Sequence, residues 1–430
     1  MTPSSEREPL PDRLKRLRKA AGMTQGDLAA RLAVITGIYT VSQPEISRWE
    51  TGKRRPTEWM PALATALQVE ESYLTECPQR IGAGSPEAAD EDWEQVSALL
   101  RRAFLKHGVT AAAAGAGLPA VGVADLQHIT AALDNARRYA DTTIVAYFTT
   151  QLDTIAAQDR TRGPAAAVPD VLALIAAAQK IAAEARPDVR ARLLRLIARA
   201  AELAGWFYRD LAAEQPAEYW RDRAMEWAQA GADLPMQGYV LLKKAQAAWD
   251  TRDGLRMLSL AEAVQDGPWQ LPAKVLAEAA QQVARGHALL GTDAPTIHRH
   301  LGYARDLLDQ ADIATVSLSP HYDEATFHVQ VAHTHTLTGH PDQAIAAYEQ
   351  WLTPGVFDRR DYGYHLAFKA AAQARAGDAD AAARTGLAAL RIARDTSSAR
   401  THAALIRLTG DLRPQWQRPR VAELRQAIVS

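Results

Sequence analysis

Between residues 41 and 55 the chain concentrates side chains suited to an anionic, hydrogen-bonding surface. Gln43, Pro44, Glu45, Ser47, Arg48 and Thr51 are followed closely by Lys53, Arg54 and Arg55. A glutamine amide can pair bidentately with the edge of an adenine, an arginine with that of a guanine, and a proline ring can meet a thymine methyl. A cluster of cations neutralises phosphates and gives affinity that falls with salt. The charge distribution agrees. Residues 10 to 60 hold ten basic against five acidic side chains, a local charge of +5, whereas residues 81 to 100 hold five acids and no base, in a chain of net charge -1. A basic head beside an acidic stretch points to an anionic partner, and a solvated charged face is the alternative.

These side chains need short helices to hold them. Residues 12 to 74 divide into about five. Leu14, Leu17, Arg18 and Ala21 have helical spacing, with Gly22 as the stop. Thr24 offers an N-cap with Asp27 three residues on, and Leu28, Ala29 and Leu32 form the apolar stripe of a second helix. Ser42 and Glu45 have the spacing of a capping box opening a third, with Pro44 in its first turn, where a missing N–H costs nothing. Ile46 and Trp49 point inward there and Gly52 ends it. A fourth helix carries Leu63, Ala64 and Leu67.

Taken in order, Leu17-Arg18, Gly22-Met23-Thr24-Gln25, Leu28-Ala29, Val41-Ser42-Gln43-Pro44-Glu45-Ile46-Ser47, Glu50, Gly52, Pro56 and Leu63-Ala64 resemble a lambda-repressor-like helix-turn-helix domain of the XRE family. The resemblance covers about 60 of 430 residues. It implies a DNA reader in which Gln43, Pro44, Ser47 and Arg48 meet base edges, while Gln25, Lys53, Arg54 and Arg55 meet phosphates. The chain departs from the family where Ala33 to Thr40 lengthen the passage between the second and third helices. The expected accommodation is an extended second helix with Gly37 as its stop.

The expected organisation is a helix-turn-helix domain over 10–76, a linker with an arginine-pair helix over 77–123, and an all-helical region over 124–430. Residues 78 to 92 are rich in Pro, Gly, Ser and acid, as a flexible linker is. Arg101-Arg102 with Phe104-Leu105-Lys106 and an Ala- and Gly-rich stretch looks like a twin-arginine export signal. Its place after a DNA-reading domain favours a basic amphipathic helix instead. The polar N-terminus, the lack of any strongly apolar run of 18 residues and the single cysteine, Cys77, give the expectation of a cytoplasmic protein without membrane spans or disulfides.

Beyond residue 124, helical stretches alternate with breaks at Gly163-Pro164, Arg186-Pro187, Gln215-Pro216, Leu234-Pro235, Gly267-Pro268, Ala294-Pro295, Ser319-Pro320, His340-Pro341 and Pro354-Gly355. Ala332, Leu337, Gly339, Ala344, Tyr348, Trp351, Leu352 and Pro354 form a unit echoed by Gly377, Ala382, Leu387 and Leu390. These units resemble tetratricopeptide repeats, which implies an α-solenoid of helical hairpins with a concave binding face. A DNA reader joined to such an array is similar to the peptide-sensing regulators of quorum sensing. That likeness implies a homodimer that senses a signalling peptide. Those receptors hold peptides with asparagines, and Asn135 is the only one here. A small-molecule effector, a partner protein and the absence of any ligand therefore stay open.

Two constellations are candidates for the ligand site. His321, His328 and His335 are seven residues apart, as are His333 and His340, which places each set on one face of a continuous helix. They could form a polar lining or an ordinary surface; the separation is too long for one metal ion. Trp220 and Trp227 belong to an aromatic group that suits either a core between helices or a ligand cage. Ligand candidates are thus Trp220, Trp227, His328 and His335. No Gly-rich phosphate loop, nucleophile elbow or metal-spaced cluster is present in the sequence, so neither catalysis nor a cofactor is expected. The expected whole is an all-α cytoplasmic transcriptional regulator that binds a double-stranded DNA operator. The alternative is a helical-repeat interaction scaffold that DNA merely tethers.

Overall fold

The computed structural model describes residues 10–20, 23–36, 43–53, 56, 59–67, 123–311 and 318–429. Among these residues every regular element is helical, and the one extended pairing is an isolated bridge between Pro354 and Phe357. The chain divides into two compact units, Met1–Asp92 and Trp93–Ser430.

The first unit holds α1 (Leu10–Ala20), α2 (Gln25–Thr36), α3 (Gln43–Glu50) and α4 (Met60–Leu67). Helical spacing puts Leu10 and Leu14, Leu28 and Leu32, Ile46 and Trp49, and Leu63 and Leu67 on inward faces that share one core. Helix α2 begins with reciprocal bonds. Thr24 N–H donates to the Asp27 carboxylate at 2.8 Å, and Asp27 N–H donates to Thr24 Oγ1 at 3.1 Å. It runs to Thr36, so the extra residues of this passage in part lengthen the helix. Helix α3 ends in a Schellman turn: Gly52 N–H donates to the Trp49 carbonyl and Lys53 N–H to that of Arg48, with Gly52 at φ 71°. A side chain at Gly52 would strain that turn. The expected cap at Ser42, the stop at Gly37, the fifth helix and the arginine-pair element lie outside the described residues.

The second unit is a succession of helices joined mostly by short turns: α5 (Val123–Asp134), α6 (Ala136–Tyr139), α7 (Thr142–Arg162), α8 (Pro164–Glu184), α9 (Pro187–Asp210), α10 (Glu214–Ala230), α11 (Leu234–Ala248), α12 (Gly254–Asp266), α13 (Ala273–Leu290), α14 (Ala294–Asp309), α15 (Glu324–Leu337), α16 (Pro341–Trp351), α17 (Arg359–Arg375), α18 (Ala379–Asp395), α19 (Ala399–Asp411) and α20 (Pro419–Val429). Many of the turns repeat one device. A residue in the left-handed region closes one helix (Ala232, Arg252, Gly377, Ser397), and the next residue caps the following helix with its side chain (Asp233, Asp253, Asp378, Ser398). Proline occupies the first turn of α8, α9, α11, α14 and α16, where it costs no hydrogen bond.

Most helices pack on their neighbours in sequence, and the odd-numbered helices also pack on one another: α9 on α11, α11 on α13, α13 on α15, α15 on α17 and α17 on α19. Helix α19 returns to α9, so six helices close a ring. Ion pairs bind the seam. Asp210, fully buried at the end of α9, meets Arg400 Nε at 3.1 Å and Arg360 Nε at 3.3 Å. Arg360 also clasps both carboxylate oxygens of Asp159 on α7, at 2.7 and 2.6 Å. Burial opposes the charge of Arg400, but Asp210, Tyr364, Asp361 and Asp250 outweigh it and hold the guanidinium above its ordinary pKa.

Helix α8, Pro164–Glu184, is apolar and long enough to cross a membrane by length and composition. Ala167, Ala173, Ala176 to Ala178 and Ala182 nevertheless lie buried where α8 packs against α7 and α9.

Candidate functional site

Helix α3 sorts its residues cleanly. Ile46, Trp49 and Glu50 are buried, while Gln43, Pro44 and Arg48 are exposed and Ser47 is half-buried. Positions 43, 44, 47, 48 and 51 follow one another at helical spacing, so Gln43, Pro44, Ser47, Arg48 and Thr51 form one outward edge. Arg48 lies against Glu45, Nη1 to Oε2 at 3.0 Å, and remains 59% exposed. Such an exposed pair is worth at most about 1 kcal/mol, so a guanine edge can displace the carboxylate. Lys53 is exposed just past the helix end. Arg54 and Arg55 lie outside the described residues.

The buried side of α3 fixes its angle. Glu50 accepts from Arg18 of α1, Nη2 to Oε2 at 2.9 Å with Nε on the other oxygen, and from Gln25 Nε2 of α2 at 2.8 Å. Arg18 Nη1 also donates to the Met23 carbonyl at 2.7 Å. One carboxylate thus ties three helices. Burial works against its charge, but the bonds from Arg18 and Gln25 and the fields of Arg18 and Lys15 prevail, holding the Glu50 carboxyl below its ordinary pKa. Two sequence readings change. Arg18, counted with the basic head, is a buried strut. Gln25 is oriented by Glu50 and has one amide hydrogen left for a phosphate.

Residues 10–76 match the family model of a helix-turn-helix domain. No curated protein matches the chain. The helix-turn-helix domain accounts for the arrangement of α2 and α3, since its second helix presents base-reading side chains to the major groove while the first crosses the backbone. The match supports a DNA-binding transcription regulator.

The second unit has its own candidate site. The closed ring encloses a cavity of about 320 Å³. Most of its wall comes from the odd-numbered helices: Trp206 and Arg209 of α9, Gln246 of α11, Glu278 and Arg285 of α13, Gln330 and His333 of α15, Asp361, Tyr364 and His365 of α17, and Arg400 of α19, with Trp249 just past α11; Pro320, His321 and Asp323 before α15 and Val356, Phe357 and Asp358 before α17 complete it. Glu278, fully buried, accepts from Gln246 and Ser319 and pairs with His321 Nε2 at 3.0 Å. Burial alone would raise its pKa; Lys243 and His321 hold it far below the carboxylate range.

None of the four ligand candidates from the sequence lines this cavity. Trp220 and Trp227 are core residues, 4% and 5% exposed, with ring centroids 6.4 Å apart. Their large apolar surfaces are spent between helices. His328 stacks on Trp351 at 4.2 Å, and His335 faces His340. The shared helical face forms only for His328 and His335 of α15, because His321 precedes that helix and His340 lies beyond it. The histidines that line the cavity are His321, His333 and His365. Only the first two belonged to the spaced sets. His365 follows Tyr364 in an aromatic run that carried no spacing signal.

Proposed function

We propose that the chain is a sequence-specific DNA-binding transcriptional regulator whose second unit senses a small-molecule effector. The outward edge of α3 carries this reading: Gln43, Pro44, Ser47 and Arg48 point away from the core on the second helix of the helix-turn-helix pair, the one such domains lay in the major groove. Lys53 supplies phosphate affinity. The second unit is read as a solenoid of tetratricopeptide-like hairpins, supported by the alternation of inner and outer helices and by the repeat spacing around Gly339 and Gly377. It acts as a binding module without catalysis or cofactor, works as a homodimer in the cytoplasm, and changes the spacing of two reading helices when its ring takes up a ligand. A ligand regulates only if it favours one arrangement over the other. A cavity of about 320 Å³ falls within the range of ligand pockets, roughly 300 to 1,000 Å³, and suits a small molecule.

Gel shifts on a selected operator test the base-reading assignment. Arg48→Ala should cost about 1 to 3 kcal/mol at one base position and relax discrimination there. Lys53→Ala should weaken all sequences alike and reduce the salt slope by about 1. Unchanged discrimination in Arg48→Ala would remove Arg48 from the readers.

A further inference from the structure

The ring cavity contains polar groups that nothing among the described residues satisfies. Arg285 is 5% exposed and makes no ion pair among the described residues. Its Nη1 donates to the neutral amides Gln282 and Gln330 at 3.0 and 3.1 Å, and its Nε has no partner. The guanidinium lies 3.8 Å from the centre of the Trp249 ring. His333, 2% exposed, leaves both ring nitrogens unpartnered, and His365, 8% exposed, leaves Nδ1 so. The two imidazoles stand 5.4 Å apart. A buried cation without a counter-charge is costly, and so is each unsatisfied polar atom. The other cavity cations differ. Arg209 is paired with Asp250, and Arg400 with Asp210 and Asp361.

We infer that the ring cavity binds a compact organic carboxylate on an aromatic body, its anion meeting Arg285 and its ring packing among Trp206, Trp249 and Tyr364. His333 and His365, neutral because burial and nearby arginines disfavour their charged forms, supply hydrogen bonds to the same group. An uncharged isostere would leave the Arg285 charge uncompensated. The site is therefore selective for charge more than for shape. This rests on the reading of the ring as an effector site.

Calorimetric titration of the full chain with two acid–amide pairs tests it: benzoate against benzamide, and indole-3-acetate against indole-3-acetamide. At least one acid should bind ten times or more tighter than its amide. Arg285→Gln should abolish that preference, and Arg285→Lys should keep part of it. His333→Phe, which retains an aromatic ring in the stack, should weaken the acid several-fold. Neither acid binding, acid and amide binding alike, or a preference surviving in folded Arg285→Gln would overturn the inference. Operator binding by the same preparation separates the two levels. A chain that reads DNA but ignores the acids loses only this inference, whereas one that takes up the acids without binding DNA loses the regulator reading.

Discussion

Glu50→Gln should destabilise the helix-turn-helix unit by about 3 to 5 kcal/mol at neutral pH, because it leaves Arg18 buried without its counter-charge. Arg18 and Glu50 are 8% and 6% exposed, and the carboxylate also holds Gln25. Small domains are stable by only about 5 to 15 kcal/mol, so the loss consumes much of what the unit has. Hydrogen exchange on peptides from α1, α2 and α3 in the full chain should show faster exchange, and operator affinity should fall without any base contact having been removed. The pH dependence has a definite sign. The folded-state pKa of Glu50 is depressed, so its contribution is present above the ordinary carboxylate value of about 4.3 and is lost as pH falls through the folded value. The gap between wild type and variant should narrow in acid. Equal protection of α1 to α3 at neutral pH would contradict the strut.

Asp210→Asn should open the ring. Asp210 is the fully buried meeting point of Arg360 and Arg400, which come from α17 and α19 across the seam. Without that charge two buried guanidiniums keep only Asp159 and Asp361. The expected cost is again about 3 to 5 kcal/mol, read as a lower denaturation midpoint for the second unit in tryptophan fluorescence. Trp206 reports locally, since the Arg400 guanidinium lies 4.7 Å from its ring centre. Coupling is the stricter measure. Asp210→Asn with Arg400→Gln should cost less than the sum of the two single changes, because the second removes the charge the first strands. Additive costs would mean that the seam is not held by this pair.

Local chemistry made much of α1 to α4 legible. Pro44 in the first turn, Ile46 and Trp49 at inward spacing and Gly52 as the stop define α3 almost to the residue, since each acts within one helical turn. The proline and glycine breaks placed many helix starts in the second unit for the same reason, and Ala332, Ala344 and Tyr348 of the repeat pattern are fully buried. What escaped was set by distance along the chain. Arg18 counts as one more cation of the basic head until Glu50, 32 residues on, is found beside it. Arg360 and Asp159 are 201 residues apart, and Arg400 and Asp210 are 190. No periodicity carries such pairings. The cavity was hidden likewise, because Arg285, His333 and His365 converge only once the ring closes. Trp220 and Trp227 drew attention by type, yet tryptophans about two turns apart on one face of an amphipathic helix most readily serve its packing.

The most direct test of the central claim is nuclease footprinting of the purified chain on genomic fragments, repeated with a Gln43→Ala, Arg48→Ala double variant. The account predicts a small set of discrete protected sites sharing one sequence, all lost or altered in the variant while hydrogen exchange in α1 to α4 stays as in wild type. Diffuse protection that tracks salt alone, or discrete sites untouched by the variant, would contradict it and leave a helical scaffold held to DNA by charge.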